Sequence, residues 1–143
     1  MAWKSVYWDA VKEGDELPVQ KREINRTTVI ATAIATRDFT PVHHDHEAAR
    51  KSGANDIFLN ILTTGGFIGK YMTDWSGPEG HLKKMVIRLG ATCYPGDTLT
   101  SNGRVVKKYT EGDNHLVDIE YNLTVAMGPH AWGTVTMILP AKS

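Results

Sequence analysis

The octet DFTPVHHD at residues 38–45 sets an acid, Asp38, five positions before an imidazole, His43, with Pro41 between them. Proline cannot continue a helix, and it favours an extended conformation for the residue before it, Thr40. Both side chains are therefore expected on a bent loop. A carboxylate and a histidine that are held close together can share a water molecule, and one of them can accept its proton. The octet accordingly predicts chemistry that adds or removes water.

Helical patterns flank the octet on both sides. Asn25 is a good N-cap for a helix from about Arg26 to Thr36, in which apolar residues recur at helical spacing. After the octet, Asp45 is expected to cap a short helix from His46 to Ser52, and Gly53 suits the position that ends it. The loop is thus expected to lie between two helices that hold it in place.

A long apolar segment, Ile57 to Met72, follows and carries only one charge. A helix that is apolar all round is expected to be buried. Its three glycines, Gly65, Gly66 and Gly69, each cost about 1 kcal/mol relative to alanine in a helix, so we expect them to permit close approach by another backbone or a ligand. The segment lacks the Lys-Ser/Thr ending of a phosphate-binding loop, which excludes that interpretation.

From Leu82 onward the periodicity becomes that of strands, after a first edge strand over Leu17 to Glu23. The later strands are predicted over residues 87–94, Leu99 to Tyr109, Leu116 to Ala126 and Ala131 to Leu139. Hairpin-type turn residues occur at 94–97 and 111–114. Early helices and late antiparallel strands predict an α+β fold in which a sheet wraps around one buried helix.

The length, charge balance and cysteine content of the chain limit the classes of function that we expect for it. The chain has 143 residues with 41% hydrophobic content, which predicts one domain over residues 1–143. Sixteen basic residues balance sixteen acidic ones, so no nucleic-acid or membrane partner is expected. Cys93 has no partner for an internal disulfide and is expected to fill the core from a strand, and the absence of an apolar leader pattern indicates a cytoplasmic protein.

These features together resemble the MaoC-like dehydratases, a family with the hot-dog fold that includes the (R)-specific enoyl-CoA hydratases. The family motif reads Asp, any residue, Asn, Pro, an aliphatic residue and His, then a nearby Asp and a small residue. Here it stands as DFTPVH at residues 38–43, followed by Asp45 and by Ala48 or Ala49. The later stretch Pro95-Gly96-Asp97-Thr98-Leu99 is also similar to the family's turn and strand. The resemblance covers most of the chain.

The resemblance implies that Asp38 and His43 form the catalytic pair. Thr40 stands where the family has asparagine, and it keeps a side chain that can form hydrogen bonds. Leu59-Asn60 stands where the family has His-Gly, and the backbone N–H of Asn60 is expected to help hold the thioester oxygen. Thr40 and Asn60 are thus the candidate substrate-binding or oxyanion residues.

The implied reaction is the reversible hydration of a trans-2-enoyl-CoA thioester to a 3-hydroxyacyl-CoA, by a hydro-lyase of lipid metabolism. No separate cofactor and no metal are expected, because coenzyme A is part of the substrate. Hot-dog sheets usually pair edge to edge, so the resemblance also implies a homodimer or a heterodimer of hot-dog subunits, with the acyl-CoA bound at their junction.

Three alternatives stay open at this point. The chain could be an acyl-CoA-binding subunit of a hetero-oligomeric hydratase, although possession of Asp38 and His43 would make it the catalytic member of a pair. A hot-dog acyl-CoA thioesterase would need a carboxylate near the central helix, for which Asp56 is the nearest candidate. A metal cluster could be built from residues 43–46, His-His-Asp-His, but consecutive side chains point in different directions.

Overall fold

The computed structural model describes residues 4–142. One β-strand, three α-helices and then four further β-strands follow one another in an α+β arrangement, and two short 3₁₀ turns occupy Trp8–Ala10 and Pro41–His43. In chain order the elements are β1 (Gln20–Glu23), α1 (Arg26–Ala35), α2 (His46–Lys51), α3 (Ile61–Ser76), β2 (His81–Leu89), β3 (Thr98–Glu111), β4 (Asn114–Val125) and β5 (Gly128–Ile138).

The strands form one antiparallel sheet in the order β1-β3-β4-β5-β2. A tight hairpin joins β3 to β4 at the predicted turn, where Gly112 has φ +58°. β2 pairs with β5 rather than with β3, so residues 90–97 cross over between two separate parts of the sheet. The predicted α+β class with an antiparallel sheet is confirmed.

The core lies between the sheet and α3. The predicted alternation along β4 is confirmed, because Val117, Ile119 and Leu123 are fully buried while Glu120 and Asn122 face solvent. Burying an aliphatic side chain of this kind contributes about 1.5–3 kcal/mol. α3 adds Ile68, Tyr71 and Met72 to the same core cluster. One apolar layer therefore fixes α3 against the sheet.

The predicted helix caps are confirmed, but the start of the long helix is not. The side chains of Asn25 and Asp45 accept hydrogen bonds from the first turns of α1 and α2. α3 begins at Ile61 rather than at Ile57, because Asn60 caps it through its own side chain. Residues 57–60 lie in a loop, from which Ile57 and Leu59 are buried and Phe58 is half-buried.

α3 is buried on one face only, so the prediction of burial all round is wrong. Ile61 and Leu62, in its first turn, are 49% and 53% exposed. A Cβ atom added at Gly66 would meet nothing within 4 Å, and one added at Gly65 would reach Ile87 at 3.4 Å. No backbone of this chain within residues 4–142 therefore requires glycine at position 66, and a ligand or a partner remains the predicted reason.

Two strand boundaries also differ from the predictions. The edge strand is limited to Gln20–Glu23 with an isolated bridge at Glu16, since Pro18 has no N–H to donate. β2 ends at Leu89, and Cys93 lies in the crossover rather than in a strand. Cys93 is nevertheless fully buried, and burial raises the pKa of its thiol to about 12, which fits a core residue and not a nucleophile.

Within residues 4–142, no helix is long and apolar enough to cross a membrane.

Candidate active site

The C-terminal turn of α1 places Asp38. The N–H of Asp38 donates to the carbonyl of Ala33 at 2.9 Å, and the N–H of Arg37 donates to the carbonyl of Ile34 at 2.9 Å. These are the two hydrogen bonds of a Schellman motif. Arg37 adopts φ +57° in this motif, a left-handed conformation that costs a non-glycine residue about 1 kcal/mol. The acid therefore leaves the helix in one defined direction.

The remainder of the octet is a compact turn, as predicted. Pro41 opens a 3₁₀ turn, and the N–H of His43 donates to the carbonyl of Thr40 at 3.1 Å. Asp45 then caps α2 by accepting from the N–H of Ala48. His43 is only 7% exposed. The loop is thus held from both ends, and its histidine points inward.

A backbone carbonyl determines which nitrogen of His43 carries the proton. Nδ1 of His43 lies 2.7 Å from the carbonyl oxygen of Phe58, and a carbonyl can only accept a hydrogen bond. Nδ1 therefore donates, and in the neutral ring Nε2 has a free lone pair. Nε2 lies 3.4 Å from Oδ2 of Asp38. The base-competent nitrogen thus faces the acid.

The carboxylate of Asp38 is held at both oxygens. Oδ1 accepts hydrogen bonds from the hydroxyl of Thr40 at 2.6 Å and from its N–H at 3.2 Å. Oδ2 accepts one from Nδ2 of Asn60 at 3.0 Å. These hydrogen bonds, those of Thr40 and Asn60 first, lower the pKa of Asp38 from 3.8 to about 2, because they stabilise the charged form. Asp38 is therefore a carboxylate at neutral pH.

Asp38 and His43 keep hydrogen-bonding capacity for one shared molecule. A carboxylate has about four acceptor positions, and three of those on Asp38 are occupied within the chain. Oδ2, which has capacity for a further hydrogen bond, and Nε2 of His43 lie 3.4 Å apart. A water molecule beside this gap can donate one proton to each group. Such geometry suits the activation of water for addition to a double bond.

Comparison with known proteins finds a close relative. No protein-family model matches the chain. The chain is similar to the beta subunit of 3-oxo-4,17-pregnadiene-20-carboxyl-CoA hydratase from Mycobacterium tuberculosis, at 39% identity over 124 residues, which cover 87% of this chain and 93% of that protein. The chain belongs to the MaoC-like hydratase family.

Solved structures show the same fold. A chain in the ChsH1–ChsH2 complex from Mycobacterium tuberculosis superposes with a TM-score of 0.84 at 38% identity, covering 90% of this chain and 98% of that one. The R-hydratase PhaJ1 from Pseudomonas aeruginosa superposes with a TM-score of 0.86 at 16% identity, covering 96% and 88%. The resemblance to MaoC-like proteins and the hot-dog fold are thereby confirmed.

The two departures from the MaoC-like motif meet at the acid. Thr40 and Asn60, which replace an asparagine and a glycine of the motif, both donate hydrogen bonds to Asp38. The structure therefore brings all four predicted site residues together, although the predictions assigned Asn60 only a backbone role. That Asn60 also binds substrate stays a prediction.

An apolar rim borders the site. We use this term for Ile34, Phe39, Ile61 and Leu62, which are 54%, 63%, 49% and 53% exposed. Phe39 directly follows the acid, and Ile61 and Leu62 directly follow Asn60. Exposed apolar side chains grouped beside a polar site are candidates for a surface that binds a ligand or a partner.

The other polar residues around the octet have separate contacts. Asp56, the thioesterase candidate, lies 2.5 Å from a guanidinium nitrogen of Arg26 and 2.8 Å from Nδ1 of His46. The hydrogen bond from His46 is the main cause that lowers the pKa of Asp56. His44 is exposed, and Asp45 caps α2. These side chains do not converge with His43 on a common point.

The sequence interpretation missed a second buried histidine. His130 lies inside β5, with Nδ1 2.7 Å from the carbonyl of Ala91 and Nε2 2.9 Å from the hydroxyl of Thr64. Burial lowers its pKa, so the ring is neutral, and Thr64 donates to Nε2. His130 thereby ties the first turn of α3, and with it Asn60, to the sheet. The alternation along β5 gives no signal for it, because the next even-numbered residues, Trp132 and Thr134, are exposed and the strand register is irregular beside Pro129.

Proposed function

We propose that the protein reversibly hydrates a trans-2-enoyl-CoA thioester to a 3-hydroxyacyl-CoA, with Asp38 and His43 activating the water. One observation carries this proposal: the hydrogen bond to Phe58 leaves the Nε2 lone pair of His43 facing a carboxylate 3.4 Å away. A histidine with the other tautomer could not accept a proton at this point.

The chemistry balances with the residues present. Water donates a proton to Nε2 of His43 as its oxygen bonds to the electrophilic β-carbon, and the electron pair of the double bond moves to the thioester oxygen. The proton then passes from Nε2 to the α-carbon, which restores the thioester and the neutral ring. Dehydration follows the same steps in reverse. Asp38 stays ionised throughout, orienting the water and stabilising the imidazolium that forms.

The negative charge that develops on the thioester oxygen needs a hydrogen-bond donor, and the backbone N–H of Asn60 is available for this role. Within residues 4–142 this buried N–H donates to no acceptor, although the side chain and the carbonyl of Asn60 are both engaged. It also lies at the N-terminus of α3, a helix of 16 residues, where the helix dipole favours negative charge. We assign it to the thioester oxygen; loss of such a donor typically costs about 10²–10³ in rate.

The proposed acyl group is bulky and polycyclic. Support comes from the relative at 39% identity, whose name specifies a pregnadiene-derived CoA thioester. It also comes from α3, where a methyl group on Gly66 would have no neighbour within 4 Å. An acyl group with several fused rings needs such side-chain-free surface more than a linear chain does.

The proposed partner is a second hot-dog subunit that covers the apolar rim. The ChsH1–ChsH2 structure is a complex of two proteins, and one of its chains is 38% identical to this chain. The half-exposed side chains beside Asp38, Phe39 among them, are the surface that such a subunit would bury. A homodimer is the competing arrangement.

A single assay tests the function. The loss of enoyl absorbance is followed for acyl-CoAs of increasing bulk, with free thiol measured in parallel, for the chain alone and with candidate hot-dog partners. We expect absorbance to fall without thiol release, fastest for a polycyclic acyl group. Thiol release would instead identify a thioesterase. No reaction with any acyl-CoA in any subunit combination would refute the proposal.

A further inference from the structure

We propose that the side-chain amide of Asn60 is a positioning group that holds one oxygen of the Asp38 carboxylate where it faces His43. This inference rests on the proposed hydration chemistry. It gives Asn60 a role separate from that of its backbone N–H, and it assigns a function to a side chain that the glycine of the family motif does not have.

The hydrogen-bond network determines the orientation of the amide. Oδ1 of Asn60 accepts from the N–H of Thr63 at 3.0 Å, and a backbone N–H can only donate. Nδ2 is therefore on the opposite side, where it lies 3.0 Å from Oδ2 of Asp38 and 2.9 Å from the hydroxyl oxygen of Thr36. A flipped amide would set its oxygen against a carboxylate and its NH₂ against a donor.

Thr36 accepts the second hydrogen bond of the Asn60 amide. Its hydroxyl proton is directed to the carbonyls of Thr32 and Ala33, at 2.8 Å and 3.0 Å, so its oxygen is free to accept from Asn60. Both N–H bonds of the amide are thus used, one on α1 and one on the acid. Asn60 connects the end of α1, the acid and the start of α3 through one rigid planar group.

The two oxygens of Asp38 are held by different parts of the chain. Thr40 holds Oδ1 from within the octet, and it would still do so if the carboxylate rotated about that contact. Asn60 holds Oδ2, the oxygen that lies 3.4 Å from Nε2 of His43. Removing the amide therefore leaves the acid present but frees the oxygen that faces the base.

Four variants separate positioning from helix capping. Asn60→Ser retains a capping side chain for α3 but is too short to reach Asp38, and Asn60→Asp retains both the cap and the size but replaces the donor with an acceptor. Asn25 is the matched control, because its side chain caps α1 in the same way, by accepting from the N–H of Thr28 at 2.8 Å, at the helix end away from Asp38. Asn25→Ser and Asn25→Asp complete the set.

The first readout is kinetic. We expect kcat to fall roughly 10- to 100-fold in Asn60→Ser and further in Asn60→Asp, with KM changed less than about threefold, since all variants retain the backbone N–H at position 60. In Asn60→Asp a second negative charge beside Asp38 and His43 favours protonation of the pair as a whole, so the acid limb of the profile of kcat against pH moves to higher pH. The Asn25 variants keep wild-type kcat and the wild-type profile.

The second readout needs no substrate. The ¹³C resonance of the Asp38 carboxyl carbon is followed against pH in folded protein, with circular dichroism confirming the fold of each variant. We expect the wild-type carboxyl to stay ionised to a pH near its pKa of about 2, and the Asn60→Ser carboxyl to titrate at a higher pH, although Thr40 still holds its pKa below the ordinary value.

The outcomes are distinct. If Asn60→Ser matches the Asn25 variants both in kcat and in the Asp38 titration, Asn60 is only a helix cap and the inference is wrong. If the wild-type protein hydrates no enoyl-CoA while Asn60→Ser still displaces the Asp38 titration, the proposed function fails and the positioning of the acid stands.

Discussion

Replacement of Asp38 by asparagine tests the shared-water geometry directly. In Asp38→Asn the side-chain oxygen can still accept from the hydroxyl and N–H of Thr40, so the loop is expected to keep its shape. The new NH₂ group would then face Nδ2 of Asn60 at about the present 3.0 Å, donor against donor. It would also lie beside Nε2 of His43, whose lone pair it can occupy by donating a proton. The substitution thus removes the charge and blocks the base together.

The expected loss follows from these two effects. A positioned acid or base contributes about 10²–10⁴ to a reaction rate, and here one substitution disables both members of the pair. We therefore expect kcat for hydration to fall about 10³-fold or more. The companion variant is His43→Asn, which can keep a donor to the carbonyl of Phe58 while removing Nε2. This substitution avoids leaving the carbonyl of Phe58 without a hydrogen-bond donor, a loss that would cost about 1–3 kcal/mol of stability.

The assay is initial-rate loss of enoyl absorbance, with thermal unfolding measured for each variant. If Asp38 and His43 act on one water, the double variant should be no slower than about tenfold below the worse single variant, because residues that act as a unit are strongly non-additive. Single variants within about tenfold of wild type, or multiplicative losses in the double variant, would refute the shared-water geometry.

Three further predictions concern stability and reactivity. Arg37→Gly should raise the free energy of unfolding by about 1 kcal/mol, because glycine adopts the left-handed conformation at this position without strain. Gly53→Ala, at φ +94° in the equivalent turn after α2, should lower the free energy of unfolding by about the same amount. Urea denaturation measures both changes, and a destabilised Arg37→Gly would contradict the reasoning. The thiol of Cys93, with its pKa raised to about 12 by burial, should resist alkylation at about pH 8 until the protein unfolds, and rapid labelling of folded protein would count against this. Asp38 and Asp56 have pKa values below those of the unfolded chain, so they should contribute to stability above the unfolded pKa of 3.8. Their contribution should disappear as the pH falls through their folded pKa values, which for Asp38 is about 2, and acid titration of the melting temperature would show this.

Local rules were enough to predict the loop that carries the pair. Asn25 and Asp45 are helix caps by composition and position, and Pro41 forces a turn between them, so the bent, bracketed octet followed from neighbouring residues alone. The strand alternation of β4 was equally local. Such predictions hold because each depends on interactions within a few residues of the chain.

Tertiary contacts decided what could not be predicted. Residues 57–59 are as apolar as the helix that follows, so the pattern did not show that Asn60 caps α3 at residue 61. The contact of the Asn60 amide with Asp38, 22 positions away, depends on the tertiary fold. The tautomer of His43 likewise depends on the carbonyl of Phe58, 15 positions away. The side chain of Asn60 caps α3 locally, but it reaches Asp38 only because α1 and α3 pack together.

We expect Asp38 and His43 to have different roles, which the pH dependence of the reaction distinguishes. The hydrogen bonds from Thr40 and Asn60 hold the pKa of Asp38 at about 2, so it is a weak base and does not retain a proton taken from water. Its charge instead orients the water and favours the cationic ring formed when His43 accepts the proton. We therefore expect the acid limb of kcat/KM against pH to lie well above the pKa of Asp38, and to persist in the residual activity of Asp38→Asn. Loss of that limb in Asp38→Asn would show that Asp38 is the titrating base and would reverse the two assignments.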